Sequence, residues 1–229
     1  MVGLTLTLLL HAAPAQVLVW GGGKTPEAAQ ESLAGWTKRS PEWAAWIALK
    51  DGYPRVVDSS TVPGMNPGFH IVVLGACSDA DVVSRIDLLK TLEPSVYVKA
   101  VTWPEEACPA LGPADAPLEA GPVGRLKTPA GELTVITLSS GSEDAWKTTV
   151  LTRWQPKGGE AVVKTFDQAD CDGGAPAPRG GGLAYESTCV TGRCTSWGHS
   201  VMRYTYAVKD NAVVEAVKEV RVIDRAVCD

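Results

Sequence analysis

The run Gly21-Gly22-Gly23-Lys24-Thr25 lies where an apolar strand should pass into a helix, the place at which a phosphate-binding loop holds a nucleotide. The full pattern also needs a glycine five residues before Gly23, and that position is Leu18, while Pro26 enters the first helical turn. The run therefore reads as a glycine-permitted turn with Thr25 capping a helix, and no nucleotide is expected. Cys189 and Cys194 would make either a reactive thiol or a small disulfide pinning a hairpin. A reactive thiolate needs a base or cation beside it; Arg193 and His199 are the only near ones, and no acid is placed to orient the histidine. The disulfide is the favoured reading. A hydrolase with its site in the C-terminal half would require His199 to meet a Ser, Cys or acid in a cleft. Asp167, Asp170 and Asp172 precede a glycine pair but lack the twelve-residue EF-hand spacing. No metal and no other cofactor is expected.

Six cysteines, Cys77, Cys108, Cys171, Cys189, Cys194 and Cys228, contain no C-x-x-C pair and accompany only three histidines, which disfavours zinc. An even number suits disulfides in an oxidising compartment. The expected pairings are Cys77–Cys108, Cys189–Cys194 and Cys171–Cys228, with connectivity left open by the count. The apolar run Val2–Leu10 is too short to span a bilayer and precedes Ala13-Pro14-Ala15, a triplet of the kind cut by signal peptidase. Residues 1–15 are thus expected to be a signal peptide, the protein periplasmic or extracellular, and the mature chain without a transmembrane span. A net charge of −5 argues against nucleic acid as a partner.

These residues need elements to position them. Val17–Ala29 lines up with Ile71–Val83, 54 residues further on: an apolar strand, a glycine-bearing turn, an acidic helix start. Thr25-Pro26-Glu27 opens the first helix, expected to run to about Lys38, and Ser40-Pro41-Glu42 opens a second through Lys50. Leu33, Trp36, Trp43, Trp46 and Ile47 would form one apolar stripe if the two are collinear. Arg55–Asp58, Phe69–Leu74 and Val96–Val101 read as strands, and Ser78-Asp79-Ala80-Asp81 caps a helix reaching Pro94. Beyond a Pro/Ala/acid-rich linker at 104–121, six strands follow with a tight turn at Asp210-Asn211. The fold class is α+β. A ferredoxin-like βαββαβ domain at 16–103 precedes an antiparallel β sandwich or small barrel at 122–229.

Strand alternation divides the N-terminal sheet into two faces. Val17, Val19, Ile71, Val73, Val96 and Val98 make a dry face suited to packing under the helices. Trp20, Arg55, His70, Tyr97, Lys99 and, at the strand's end, Trp103 would then share the open face, where rings and cations suit a sugar or a partner protein.

At Val72-Val73-Leu74-Gly75-Ala76-Cys77, followed at once by a capped helix, the chain resembles the SPOR domain, whose signature is a strand ending in V-Q-x-G-A/S-F. Gly75 and Ala76 match, whereas Val73 replaces Gln and Cys77 replaces Phe. The resemblance covers about 16–103 and implies binding of peptidoglycan glycan strands on the sheet face opposite the helices. The resulting expectation is an exported, non-catalytic envelope protein. The alternatives are an envelope interaction protein with its sheet face buried against the β domain, and the secreted hydrolase.

Overall fold

The computed structural model describes residues 13–113, 115–142, 145–194 and 196–227. They form two compact units, one of the described residues to Ile86 plus Ser95–Ala110, the other of Asp87–Pro94 and the described residues from Leu111 onward.

The first unit contains β1 (Ala13–Gly23), α1 (Pro26–Trp43), the two-residue β2 (Ile47–Ala48), β3 (Arg55–Asp58), a 3₁₀ turn (Ser59–Thr61), β4 (His70–Cys77), the start of α2 (Asp79–Leu92) and β5 (Tyr97–Trp103). The antiparallel sheet runs β3-β4-β1-β5, the split βαβ order of a ferredoxin-like fold. The two halves of the repeat supply its central strands, with Val17 opposite Ala76 and Val19 opposite Val73. Ala13, Pro14 and Ala15, the triplet expected at a cleavage site, pair with Trp103, Thr102 and Val101 of β5.

Both helix starts obey the local chemistry of their caps. The Thr25 Oγ1 accepts from the Ala28 amide, with Pro26 at the first helical position. The Ser78 hydroxyl accepts from the Asp81 amide and donates back to the Asp81 carboxylate. At its far end α1 departs from expectation. It passes through Pro41 to Trp43 as one helix, and Ile47–Ala48 is strand, so the second helix through Lys50 is not formed. Proline at 41 deprives the Thr37 carbonyl of its usual donor, and the Ser40 hydroxyl supplies one instead at 3.3 Å.

The two sheet faces are not divided as expected: Val17 pairs with Lys99, Val19 with Tyr97 and Val73 with Arg55, so these residues share one face, and Trp20 lies on the other. Trp20 packs under α1, edge-on to Trp36 and Trp43 at centroid distances of 5.3 and 5.5 Å, and its indole N–H donates to the Ser32 carbonyl. Val17, Val19, Ile71 and Val73 instead pack with Val62 and Met65 of the β3–β4 connection. That connection, residues 59–69, is a strap across the sheet face opposite the one on which Trp20 meets α1. Its near end is tied by two bonds between Ser59 and Phe69, and the Pro63 carbonyl accepts from the Thr102 amide of β5. Gly64 takes φ +97° where a Cβ would stand 3.1 Å from the Ala100 carbonyl. Alternation fixes which residues of one strand share a face; the pairing register decides which residues of the neighbouring strands join them, and neither says which face the helices take.

The Asp58 carboxylate begins the strap by accepting from the Ser60 amide at 2.8 Å. That bond, followed by one from the Ser60 side chain, holds the Asp58 carboxyl below its ordinary value. A depressed carboxyl contributes stability above its unfolded pKa and loses it as pH falls through the folded one. Hydrogen exchange at the Ser60 amide is therefore expected to lose protection on acidification through that range. Asp58→Asn should flatten this dependence.

The second unit holds the short β7 (Glu119–Ala120), which follows the two-residue β6 (Ala110–Leu111), then β8 (Gly124–Thr128), β9 (Gly131–Ser142), β10 (Ala145–Pro156), β11 (Val162–Ala169), β12 (Ala177–Arg179), β13 (Gly182–Arg193), β14 (Trp197–Lys209) and β15 (Ala212–Asp224). One antiparallel sheet runs β11-β10-β9-β7 with β8 also on β9, and the other runs β12-β13-β14-β15. Leu133, Val135, Val150 and Trp154 of the first sheet share a buried core with Leu183, Tyr185, Tyr204, Tyr206 and Val213 of the second, which makes a sandwich. Asp210 and Asn211, both at positive φ, turn the β14–β15 hairpin as their residue types predict.

Two disulfides lie wholly among the described residues. Cys77–Cys108 joins the end of β4 to the segment after β5, beside a reciprocal backbone pair between Ala76 and Ala107. Cys171 pairs with Cys189, which corrects both Cys171–Cys228 and Cys189–Cys194. β13 stays extended through Arg193, and five residues of strand span about 17 Å, far beyond disulfide reach. Cys194 is itself disulfide-bonded, and Cys228 lies outside the described residues.

Candidate functional site: a glycine-walled pocket

β1 outruns β5. Its residues Ala13–Val19 pair with β5, whereas Gly21–Gly23 pair only with Val72, Ile71 and His70 of β4. The chain enters β5 at Tyr97 from a turn at Pro94 and Ser95, so among the described residues no strand continues alongside the glycines. The vacated position is a pocket of about 480 Å³ lined by Gly21–Gly23, Ser59, Met65, Asn66, Phe69, Ile71, Tyr97 and Lys99. This volume is in the range, roughly 300–1,000 Å³, of preformed sites for small ligands or short chain segments.

The glycines have packing reasons of their own. A Cβ on Gly21 would meet the Ser32 hydroxyl at 2.5 Å, and one on Gly23 would meet the Ala28 Cβ at 2.4 Å, so α1 lies close over this end of β1. At Gly22, φ is +148° and a Cβ would stand 2.2 Å from the His70 carbonyl. The close fit leaves bare main chain as one wall of the pocket. Opposite it, Phe69 and Tyr97 are 38% and 44% exposed, two large rings at the mouth. Partial burial pushes the Tyr97 phenol above its ordinary value, so it is a neutral donor and acceptor at neutral pH. Lys99, two residues along β5 and on the same face, brings an ammonium that forms no ion pair among the described residues.

Of the six residues expected to share one binding face, the structure brings together only Tyr97 and Lys99 in this pocket. Trp20 is buried under α1, as described above. Trp103 is 3% exposed, and its indole N–H donates to the Tyr53 hydroxyl. The Arg55 guanidinium lies 4.7 Å from the Tyr53 ring centroid and 4.9 Å from that of Trp103, with Glu105 at 3.5 Å. Arg55 and Trp103 thus form a stacked cluster of their own. His70, at the start of β4, adds a favourable field at the Glu27 and Asp58 carboxyls. The residues missed from sequence are Ser59, Met65, Asn66 and Phe69, all in or beside the strap; the Pro63–Gly68 composition identifies a loop but not the surface it folds onto.

In the second unit, β14 and β15 set His199 opposite Asp224, with Nδ1 2.9 Å from Oδ1. The pair orients an imidazole, yet both side chains are well exposed, at 33% and 52%. Neighbouring hydroxyls are engaged elsewhere: Ser200 donates to Glu219, and Ser196 accepts from the Val227 amide. Thr25 spends its hydroxyl on the α1 cap. Among the described residues no group of three or more His, Cys, Asp or Glu side chains is arranged to hold a metal, and no helix is long and apolar enough to cross a membrane.

The two disulfides are consistent with an oxidising compartment. No protein family, curated protein or solved structure matches this chain.

Proposed function

We propose that this is an exported, non-catalytic binding protein of the cell envelope, and that its first unit takes its ligand in the glycine-walled pocket. The observation that carries the reading is the preformed 480 Å³ pocket with two exposed rings and an ammonium that has no ion pair among the described residues. Rings cover apolar faces, the ammonium and Asn66 meet oxygen acceptors, and a rigid main-chain wall costs no ordering entropy on binding. The SPOR resemblance at β4 and α2 favours a peptidoglycan glycan strand as ligand. The strap changes how such a strand would sit. A long glycan lying flat across the sheet would meet the strap, whereas an end or a single exposed unit fits the pocket. The second reading, an envelope protein as partner, is favoured by the main-chain edge of Gly21–Gly23, which has no strand beside it on the β5 side among the described residues. A hydrolase in the second unit has only the His199–Asp224 pair in its support.

Tyr97→Ala and Lys99→Ala should each weaken retention of the full chain on purified cell-wall sacculi, or on envelope extract, by about tenfold. Both residues are partly exposed, so the melting temperature is expected to move little. Unchanged retention in both variants would remove the pocket from the function.

A further inference from the structure

We infer that Gly21–Gly23 form a strand-addition site for an extended segment of a partner protein that carries a carboxylate, which pairs with Lys99. The inference rests on the pocket being the binding site and goes further by naming the ligand class. In a sheet, each residue directs its N–H and C=O to one edge, and successive residues alternate. Three consecutive residues in β1 therefore aim at least one complete donor–acceptor set towards the side where β5 is missing. The first glycine is two residues beyond the last β1–β5 pair, so an incoming strand here would extend the line of β5. Main-chain ladder bonds would supply affinity, and pockets for alternate side chains would supply selection.

The surroundings select the incoming side chains. Phe69, Met65 and Tyr97 offer apolar and aromatic contact, while Lys99 lacks a carboxylate partner among the described residues. Lys99 is the charged side chain in the pocket lining, and it is the feature that admits a carboxylate there. A glycan uses rings and an ammonium equally well, but its acetamido groups hang from the sugar rings and make no main-chain run of donors and acceptors at strand spacing.

The test pans a random heptapeptide phage library on the full-length protein and measures the enriched peptides by fluorescence anisotropy. Peptides rich in Asp or Glu are expected, binding about tenfold more weakly to Lys99→Glu. N-methylation walked along an enriched peptide should weaken binding about tenfold at every second amide, because only alternate amides enter the ladder. Tyr97→Ala should weaken the same peptides without shifting the melting temperature. No enrichment, equal binding to Lys99→Glu, or indifference to N-methylation overturns the inference. Retention on sacculi or binding of N-acetylglucosamine oligomers that depends on Tyr97, with no peptide enriched, overturns it while leaving the pocket as a binding site.

Discussion

Trp20→Ala is expected to unfold the first unit at temperatures where the native protein is folded, with a loss of about 3–5 kcal/mol. Trp20 is 8% exposed and makes edge contacts with Trp36 and Trp43, which are themselves 5.6 Å apart, so three indoles close a triangle. Each such contact adds roughly 0.5–1.5 kcal/mol beyond the area it buries. Removing one indole leaves a cavity, two rings without their edge partner, and a Ser32 carbonyl without the donor it accepts from at 2.9 Å. A domain of this size has about 5–15 kcal/mol in hand. Urea unfolding followed by tryptophan fluorescence checks the effect, and Trp20→Phe should recover part of it. A Trp20→Ala variant that keeps full stability and loses only ligand retention would return Trp20 to an exposed binding face.

The same residue marks the boundary of what the sequence carries. The half-repeat, the capping residues Thr25 and Ser78, and the alternation in β1 and β4 all act within a few residues of chain. They led directly to a four-stranded sheet with two helices. The side on which Trp20 lies depends on contacts with Trp36 and Trp43, 16 and 23 residues away, and on a β-bulge between Val19 and Gly21. Neither leaves a trace in the strand's own pattern. Tyr97 and Lys99 were legible because a strand's period puts them on one face wherever that face points. The glycines were legible as a turn, and became a pocket wall because β1 runs past the end of β5. The strap was hidden for another reason. Pro63-Gly64-Met65-Asn66-Pro67-Gly68 is a loop by composition, and its docking depends on Val62 and Met65 entering a core that the sheet supplies. In the second unit the six long strands follow from β-branched alternation. The short β7, β8 and β12 do not, because two to five polar or proline-bearing residues become strand only beside a partner.

Removing the Cys171–Cys189 bridge should cost the second unit about 3 kcal/mol in the loop-entropy account, for a sequence separation of 18. The location argues that the effect is not smaller. Both cysteines belong to the buried core, and the Tyr204 hydroxyl lies 3.1 and 3.3 Å from their sulfurs. Around it Tyr185 donates to Gln168, while Gln168 and Tyr206 both donate to Glu215. Burial raises the Tyr185 and Tyr206 phenols far above their ordinary values, so these donors stay protonated throughout the pH range of folding. A bridge at this point fixes the 170–172 segment against β13, where the Asp172 and Val190 amides complete a short ladder to Thr188 and Asp170. The Cys171→Ala, Cys189→Ala double variant therefore loses a cross-link and loosens a polar network that tolerates few unpaired members. A serine pair is the harsher version, because it adds two buried hydroxyls. Peptide mapping without reduction should return one linked pair holding Cys171 and Cys189, and a second holding Cys77 and Cys108. A linked peptide joining Cys189 to Cys194 would instead require β13 to end before Arg193, and the register of the β13–β14 hairpin would have to change with it.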